Sequence, residues 1–239
     1  MSHHLAIGIV ACSAEGAALC YRTICHRAST VLGPHAHPDI ALHGASLADY
    51  VTHLDAGNLE GVAGLMLRSA QKLEAAGANF LICPDNTIHA AMPLVRPRSP
   101  LPWLHIAEVV AAEARRRGFG KVGILGTHWL VESSVYPEAL GAAKVGWMRP
   151  EPADRDRLGR IIMDELVNDE QRPDSVVALL AIIDRMKARG CDAVVLGCTE
   201  LPIVLNDANS ALPTLDSTRL LAAAALAHSM SASKPEAGR

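Results

Sequence analysis

Residues 77–87, GANFLICPDNT, decide the fold, because residues 190–200, GCDAVVLGCTE, repeat their pattern. Each segment starts with a glycine that ends a helix-like stretch. Each then continues through a short apolar run, typical of a buried strand, into a polar loop. Residues 7–12, IGIVAC, likewise align with residues 122–127, VGILGT, at a similar distance upstream. The paired segments predict a duplicated unit.

Around these segments, short apolar runs alternate with stretches of helical periodicity, which predicts parallel sheets covered by helices on both faces. We therefore expect an α/β protein of two pseudo-symmetric Rossmann-like domains with parallel sheets and an active site in the cleft between them. The first domain is expected to comprise residues 1–115 plus 212–230 and the second residues 116–211. Residues 231–239 are small and polar, which predicts a disordered tail.

Composition restricts the classes of function. The net charge is -3 and no basic run occurs, which argues against nucleic acid as a partner. No apolar stretch is long enough to span a membrane, and the N-terminus does not resemble a signal peptide, so we expect a cytoplasmic protein. The six cysteines form no paired zinc motif, and a lone His-x-His at His35 and His37 lacks a third ligand. We therefore expect no metal.

Two loops carry the chemistry, and both follow predicted parallel strands at the edge where open α/β sheets bind ligands. Cys198 follows a glycine, and Cys198 or Thr199 is expected to cap a short helix that would favour a thiolate. Chemistry alone leaves two interpretations of Cys198 open, a catalytic base or nucleophile and a packing cysteine. The loop at Asp85 offers a carboxylate and hydrogen bonds to a small polar ligand. Alternatively, Asp85 caps a helix that carries His89.

The sequence resembles the aspartate/glutamate racemase superfamily, which also holds hydantoin racemases, maleate cis–trans isomerases and arylmalonate decarboxylases. Residues 197–202, GCTELP, are similar to the motif of that family's second cysteine. Residues 85–89, DNTIH, resemble its first-cysteine motif, Cys-Asn-Thr-x-His. Weaker similarities cover the chain from about residue 5 to 230, at residues 13–15, 21–22, 102–106, 126–127 and 131–136.

The resemblance implies a homodimeric racemase or epimerase that moves a proton at the Cα of a small carboxylic acid, an acidic amino acid above all. It implies a reaction without pyridoxal phosphate or any other cofactor, in which two cysteines flank the substrate. Cys83 then has a structural role. His89 and His105 are expected close to the site, and for each both a structural hydrogen-bonding role and a catalytic role are open. The residues expected to bind substrate are Ser13, Asn86, Thr87, Thr127, Thr199 and Glu200.

One position departs from the family motif, because Asp85 stands where the first cysteine is usual. A carboxylate is a weaker base than a thiolate and is ionised at neutral pH. Asp85 and Cys198 then form an unequal acid–base pair, or Asp85 only positions the substrate. The alternatives are a decarboxylase or cis–trans isomerase that uses Cys198 alone, and a binding protein for small acids with impaired catalysis.

Overall fold

The computed structural model describes residues 4–231, which form two compact units. The residues up to Ile106, together with those from Thr218 onward, form the first unit, and Ala107–Ser217 form the second. The tail expected at 231–239 lies outside the described residues except for Ser231, which ends the last helix. Between residues 4 and 231, no helix is both long enough and apolar enough to cross a membrane.

Within this range, eight strands form two four-stranded parallel sheets. The strands are β1 (Ile7–Ala11), β2 (Ile40–Gly44), β3 (Phe80–Ile82), β4 (Trp103–Leu104), β5 (Lys121–Leu125), β6 (Gly146–Met148), β7 (Ala193–Leu196) and β8 (Thr214–Asp216). The helices are α1 (Ala14–Leu32), α2 (Leu47–Asp55), α3 (Leu59–Ala75), α4 (Met92–Val95), α5 (Ile106–Arg116), α6 (His128–Glu132), α7 (Val135–Ala142), α8 (Pro152–Arg160), α9 (Pro173–Ala188), α10 (Leu201–Val204) and α11 (Ser217–Ser231). Short 3-10 or π turns cover Thr87–Ala91, Arg96–Arg98, Ile161–Glu165 and Leu166–Asn168.

The two sheets share one topology, which confirms the predicted pair of similar α/β halves. The strand order is β2-β1-β3-β4 in the first sheet and β6-β5-β7-β8 in the second. The register agrees as well, because Ile7 pairs with Phe80 and Val122 pairs with Ala193. These four residues are the ones that the sequence repeat aligns.

The repeat extends to the polar residues that directly precede β3 and β7. The Asn79 side-chain oxygen accepts the N–H of Ala6 at 2.7 Å, and a carboxylate oxygen of Asp192 accepts the N–H of Lys121 at 3.0 Å. Before each of these residues the chain turns at a glycine with positive φ, Gly77 at 88° and Gly190 at 85°. Glycine tolerates this left-handed conformation without steric cost. Helix α3 therefore ends at the same distance before β3 as helix α9 does before β7.

Each unit has its own aliphatic core, as expected for a chain with 3% aromatic residues. In the first unit, side chains such as Val10, Met66 and Leu81 pack together, and in the second Ile182, Val194 and Leu196 do so. Burial of aliphatic surface, at about 25 cal/mol per Å², supplies the main stabilising term in both units.

The domain bounds expected from the sequence differ from the observed units at both points where the chain passes from one unit to the other. Residues 212–217 were expected in the first domain, but β8 pairs with β7 through Val194 and Thr214 and so completes the second sheet. Almost all of α5 belongs to the second unit, although it directly follows β4 of the first sheet. The last helix belongs to the first unit, where the Ser229 hydroxyl donates to the carbonyl of Leu5 at 2.6 Å.

Candidate active site

The carboxyl edge of the first sheet gathers six of the residues expected at the site, Ser13, Asp85, Asn86, Thr87, His89 and His105. Ser13 follows β1, and its hydroxyl oxygen accepts the N–H of Gly16 at 3.2 Å, which caps α1. The other five residues follow β3 or β4. Asn86 is buried, whereas Asp85 and Thr87 are half-buried. Neighbouring parallel strands thus bring these groups to one edge of one sheet, as predicted.

The carboxylate of Asp85 is held by its own loop. Its Oδ1 accepts the N–H of Thr87 at 3.0 Å and the N–H of Ile88 at 3.3 Å. These bonds cap the turn Thr87–Ala91, which carries His89, so the expected capping interaction is present. Hydrogen bonds to an ionised carboxylate stabilise the charged form. The loop therefore orients Asp85 and suits it better to accept a proton or an ammonium group than to donate a proton.

Two histidines lie behind this loop and fix its path. His89 is buried, and its Nε2 lies 3.0 Å from the carbonyl oxygen of Cys83, so Nε2 must carry the proton in that bond. The His89 ring meets the His105 ring edge to face, with centroids 4.3 Å apart. Burial, with a smaller contribution from Arg96, lowers the pKa of His105 to about 4. His105 is therefore neutral at pH 7 and acts as a packing partner.

The Cys83 thiol is fully buried between the strand and this loop. Its sulfur lies 3.9 Å from the carbonyl oxygen of Asp85. Burial above all, and then the charge of Asp85, raises the pKa of Cys83 well above its usual value. A thiol in this environment stays protonated and inert, which agrees with the structural role expected for Cys83.

The carboxyl edge of the second sheet carries Thr127 after β5 and the Cys198 loop after β7. The Thr127 hydroxyl oxygen accepts the N–H of Leu130 at 3.4 Å and caps α6. The Cys198 thiol is half-buried and donates to Oε2 of Glu200 at 2.8 Å. The Thr199 hydroxyl donates to the same oxygen at 2.7 Å. Glu200 therefore gathers the thiol and the hydroxyl around one buried carboxylate oxygen.

The expectation that Cys198 or Thr199 caps the next helix is wrong. A turn separates the cysteine from α10, and Glu200 occupies the cap position with no side-chain bond to the helix. The Glu200 side chain instead turns back toward the thiol and the hydroxyl. Because α10 has only four residues, its dipole contributes little. The carboxylate of Glu200, and not a helix terminus, is the group that controls the Cys198 thiol here.

Gly197 allows the Cys198 loop to lie close against β5. Its N–H donates to the carbonyl of Leu125 at 2.8 Å. A Cβ at this position would meet that same carbonyl oxygen at 2.7 Å and Leu130 Cδ2 at 2.6 Å. Only a residue without a side chain fits this close approach.

Gly197→Ala is therefore expected to lower the free energy of unfolding by about 1–3 kcal/mol, the usual cost of overpacking a close contact. Urea denaturation of the purified variant measures the change. Gly159→Ala is the matched control, because a Cβ on Gly159 in α8 meets nothing within 4 Å. The control should be neutral or slightly stabilising. Equal losses in both variants would contradict the proposed close contact.

Sequence reasoning missed two groups beside the carboxyl end of β7, the strand that precedes Cys198. Asp216 ends β8 and pairs with Leu196, and the Ser217 hydroxyl donates to the Leu196 carbonyl at 2.8 Å. The sequence does contain a signal for Asp216, because residues 102–105, PWLH, align with residues 213–216, PTLD, when the repeat is extended to the fourth strand of each sheet. Asp216 thus occupies in the second sheet the position of His105 in the first.

Between residues 4 and 231, no group of three or more His, Cys, Asp and Glu side chains is arranged to hold a metal ion. None of the six cysteines, all of which lie in this range, forms a disulfide.

Known proteins resemble this chain in sequence and structure. A family model described as Asp/Glu/Hydantoin racemase matches residues 7–225. Broad specificity amino-acid racemase RacX of Bacillus subtilis is 26% identical over 160 residues, which cover 66% of this chain and 67% of that protein. Glutamate racemase of Thermus thermophilus is 30% identical over 167 residues, which cover 67% of this chain and 56% of that enzyme. The chain thus spans just over half the length of the Thermus enzyme.

A crystal structure of a candidate Asp/Glu racemase from Yersinia pestis superposes with a TM-score of 0.88 at 27% identity. The match covers 95% of this chain and 99% of that one. The two-unit α/β fold is therefore shared over nearly the whole length of both chains.

Proposed function

The chain belongs to the Asp/Glu/hydantoin racemase family, and from this premise we propose that it is a cofactor-independent racemase or epimerase. The reaction we propose moves a proton at the Cα of a small amino acid, of the aspartate or glutamate type. The curated relatives described above are amino-acid racemases. The proposal includes a cytoplasmic homodimer that needs neither pyridoxal phosphate nor a metal.

The observation that carries the proposal is the equivalence of Asp85 and Cys198. Asp85 lies five positions beyond Phe80 and Cys198 five positions beyond Ala193, and these two residues pair with equivalent positions of β1 and β5. Each group is also oriented by its own loop, Asp85 by backbone N–H groups and Cys198 by Glu200. Two oriented groups at matching positions of a duplicated unit suit an acid–base pair that acts on one substrate carbon.

In one direction, the Asp85 carboxylate removes the Cα proton and the Cys198 thiol delivers its proton to the opposite face. In the other direction, the Cys198 thiolate removes the proton and protonated Asp85 returns one. The carbanion formed between these steps needs hydrogen-bond donors near the substrate carboxylate. We assign this role to Ser13, Asn86, Thr87, Thr127 and Thr199.

Hydrogen exchange in D₂O tests the proposal. The enzyme is incubated with aspartate, glutamate, other amino acids and malonates, and NMR follows deuterium entry at Cα. We expect deuterium at Cα and loss of optical activity for at least one amino acid. Release of CO₂ from a malonate, without exchange of any amino acid, would indicate a decarboxylase. Binding without either reaction would indicate a binding protein, and both results would contradict the proposal.

Glu200→Gln is expected to change the reactivity of the Cys198 thiol. Glu200 accepts the thiol proton in a hydrogen bond and places a carboxylate beside the sulfur, and both effects disfavour the thiolate. The substitution should shift the pH profile of iodoacetamide labelling at Cys198 toward lower pH. It should also slow Cα exchange by about tenfold, because a neutral amide oxygen is a weaker acceptor than a carboxylate and orients the thiol less firmly.

Mass spectrometry of the peptide that contains Cys198 separates this thiol from the other five. Glu138→Gln, on an exposed face of α7, is the matched control and should leave the labelling profile unchanged. A purely structural role for Glu200 would slow exchange without moving the labelling profile, and that result would contradict its assignment as a positioning residue.

A further inference from the structure

The first unit contains a polar cavity that shares no lining residue with the proposed acid–base pair. Its volume is about 280 Å³, and it lies where the carboxyl end of β2 and the start of α2 meet α3. The polar side chains that line it are His43, Ser46, Asp49, Arg68, Ser69 and Lys72.

His43 organises the wall of this cavity. Its Nδ1 lies 3.0 Å from the Ser69 hydroxyl, and that hydroxyl donates to the Leu65 carbonyl at 3.2 Å. Nδ1 must therefore carry the ring proton, which leaves Nε2 as an acceptor. Nε2 accepts a hydrogen bond from the Lys72 ammonium at 2.9 Å. Partial burial, and then the charges of Lys72 and Arg68, lower the pKa of His43, so the ring is neutral at pH 7.

The exposed Lys72 ammonium keeps two further N–H donors beside its bond to His43, because an ammonium group has three. Arg68, one helical turn earlier on α3, adds a planar guanidinium that suits oxyanions. In the part of the chain that the structure describes, neither side chain forms an ion pair with a carboxylate. Arg98 and Arg185, by contrast, are paired with Glu60 and Asp154.

The charge balance of the cavity favours an anion. Arg68 and Lys72 contribute two positive charges, His43 is neutral, and Asp49 contributes one negative charge. The wall therefore carries one excess positive charge in a chain whose net charge is -3. The volume lies just below the range of about 300–1,000 Å³ typical of sites for drug-sized ligands. The cavity is thus suited to a small molecule.

We propose that this cavity binds a small metabolite through a carboxylate or phosphate group that pairs with Arg68 and Lys72. Neither residue assigned to proton transfer lines the cavity, and the inference does not rest on the proposed function. The shared chemistry is an oxyanion that accepts several N–H donors at once.

Isothermal titration calorimetry with inorganic phosphate and with malonate tests the site, at an ionic strength held constant with sodium chloride. We expect saturable binding of at least one of the two anions, and the tighter one identifies the group that the site prefers. Arg68→Gln and Lys72→Gln should each weaken that binding by about tenfold or more. The matched controls are Arg157→Gln and Lys187→Gln, exposed residues of the second unit, which should bind as the wild type does.

Three results would overturn the inference. The first is that neither anion binds. The second is that binding survives unchanged in Arg68→Gln and Lys72→Gln, and the third is that the control variants lose binding equally. Cys198→Ala and Asp85→Asn should keep the anion site intact. Loss of binding in those two variants alone would place the anion at the proton-transfer residues and so also contradict the inference. A missing racemase activity would not affect any of these outcomes.

Discussion

Replacing Cys198 with alanine is expected to lower the rate of inversion at Cα by about 10³-fold or more, the scale of a lost general acid–base group. The variant lacks the sulfur that donates to Glu200 and has no other acid or base at this position. Both directions of the reaction should fail, because each uses the thiol or the thiolate once. Chiral chromatography of an incubation with the preferred substrate measures the loss, and unfolding in urea checks that the variant is folded.

Cys83→Ala is the matched control for a missing thiol. Cys83 is fully buried, and its raised pKa keeps it protonated, so its removal should leave inversion close to the wild-type rate. The Cys83→Ala substitution should instead lower the free energy of unfolding, because it deletes a buried sulfur from the core. If inversion survived in Cys198→Ala but failed in Cys83→Ala, the catalytic assignment of Cys198 would be wrong.

Sequence reasoning predicted the sheets well because their register depends on local features. Each segment has a glycine that ends the preceding helix, followed by a polar residue and an apolar run. These local features place Phe80 beside Ile7 and Ala193 beside Val122 without long-range information.

Helix α2 was not predicted, since Tyr50 is its only fully buried residue and its apolar face is narrow. The boundary between α7, which ends at Ala142, and β6, which begins at Gly146, was not predictable either. Lys144, with φ of 58°, makes the turn between them, and its residue type does not signal that conformation.

The candidate site was predictable where a single loop determines it. The order Asp85, Asn86, Thr87 favours a cap, and the cap is present. The bond from Cys198 to Glu200 was not predictable, because it depends on how the turn after Gly197 directs a side chain two residues away. The cavity at His43 was missed for a similar reason, since Arg68 and Lys72 reach it from another helix and carry no motif.

Asp85→Asn is expected to separate inversion from exchange. The asparagine keeps the side-chain oxygen that accepts the N–H groups of Thr87 and Ile88, so the loop should keep its shape. The amide cannot accept or return the Cα proton, and inversion should fall by about 10²–10³-fold. Cys198 can still remove a proton from its own face and return a deuteron there. One enantiomer should therefore take up deuterium while its configuration is retained.

Chiral chromatography and NMR of the same D₂O incubation distinguish the roles open to Asp85. Inversion at the wild-type rate would contradict proton transfer by Asp85. Loss of exchange for both enantiomers, with a raised KM, would indicate that Asp85 positions the substrate. Asp55→Asn, at the exposed end of α2, is the matched control and should change neither rate.

Asp85→Cys is expected to preserve inversion, because a second thiol at this position restores a matched pair of acid–base groups. Retained inversion in Asp85→Cys, together with its loss in Asp85→Asn, would make proton transfer, and not charge, the function of this position.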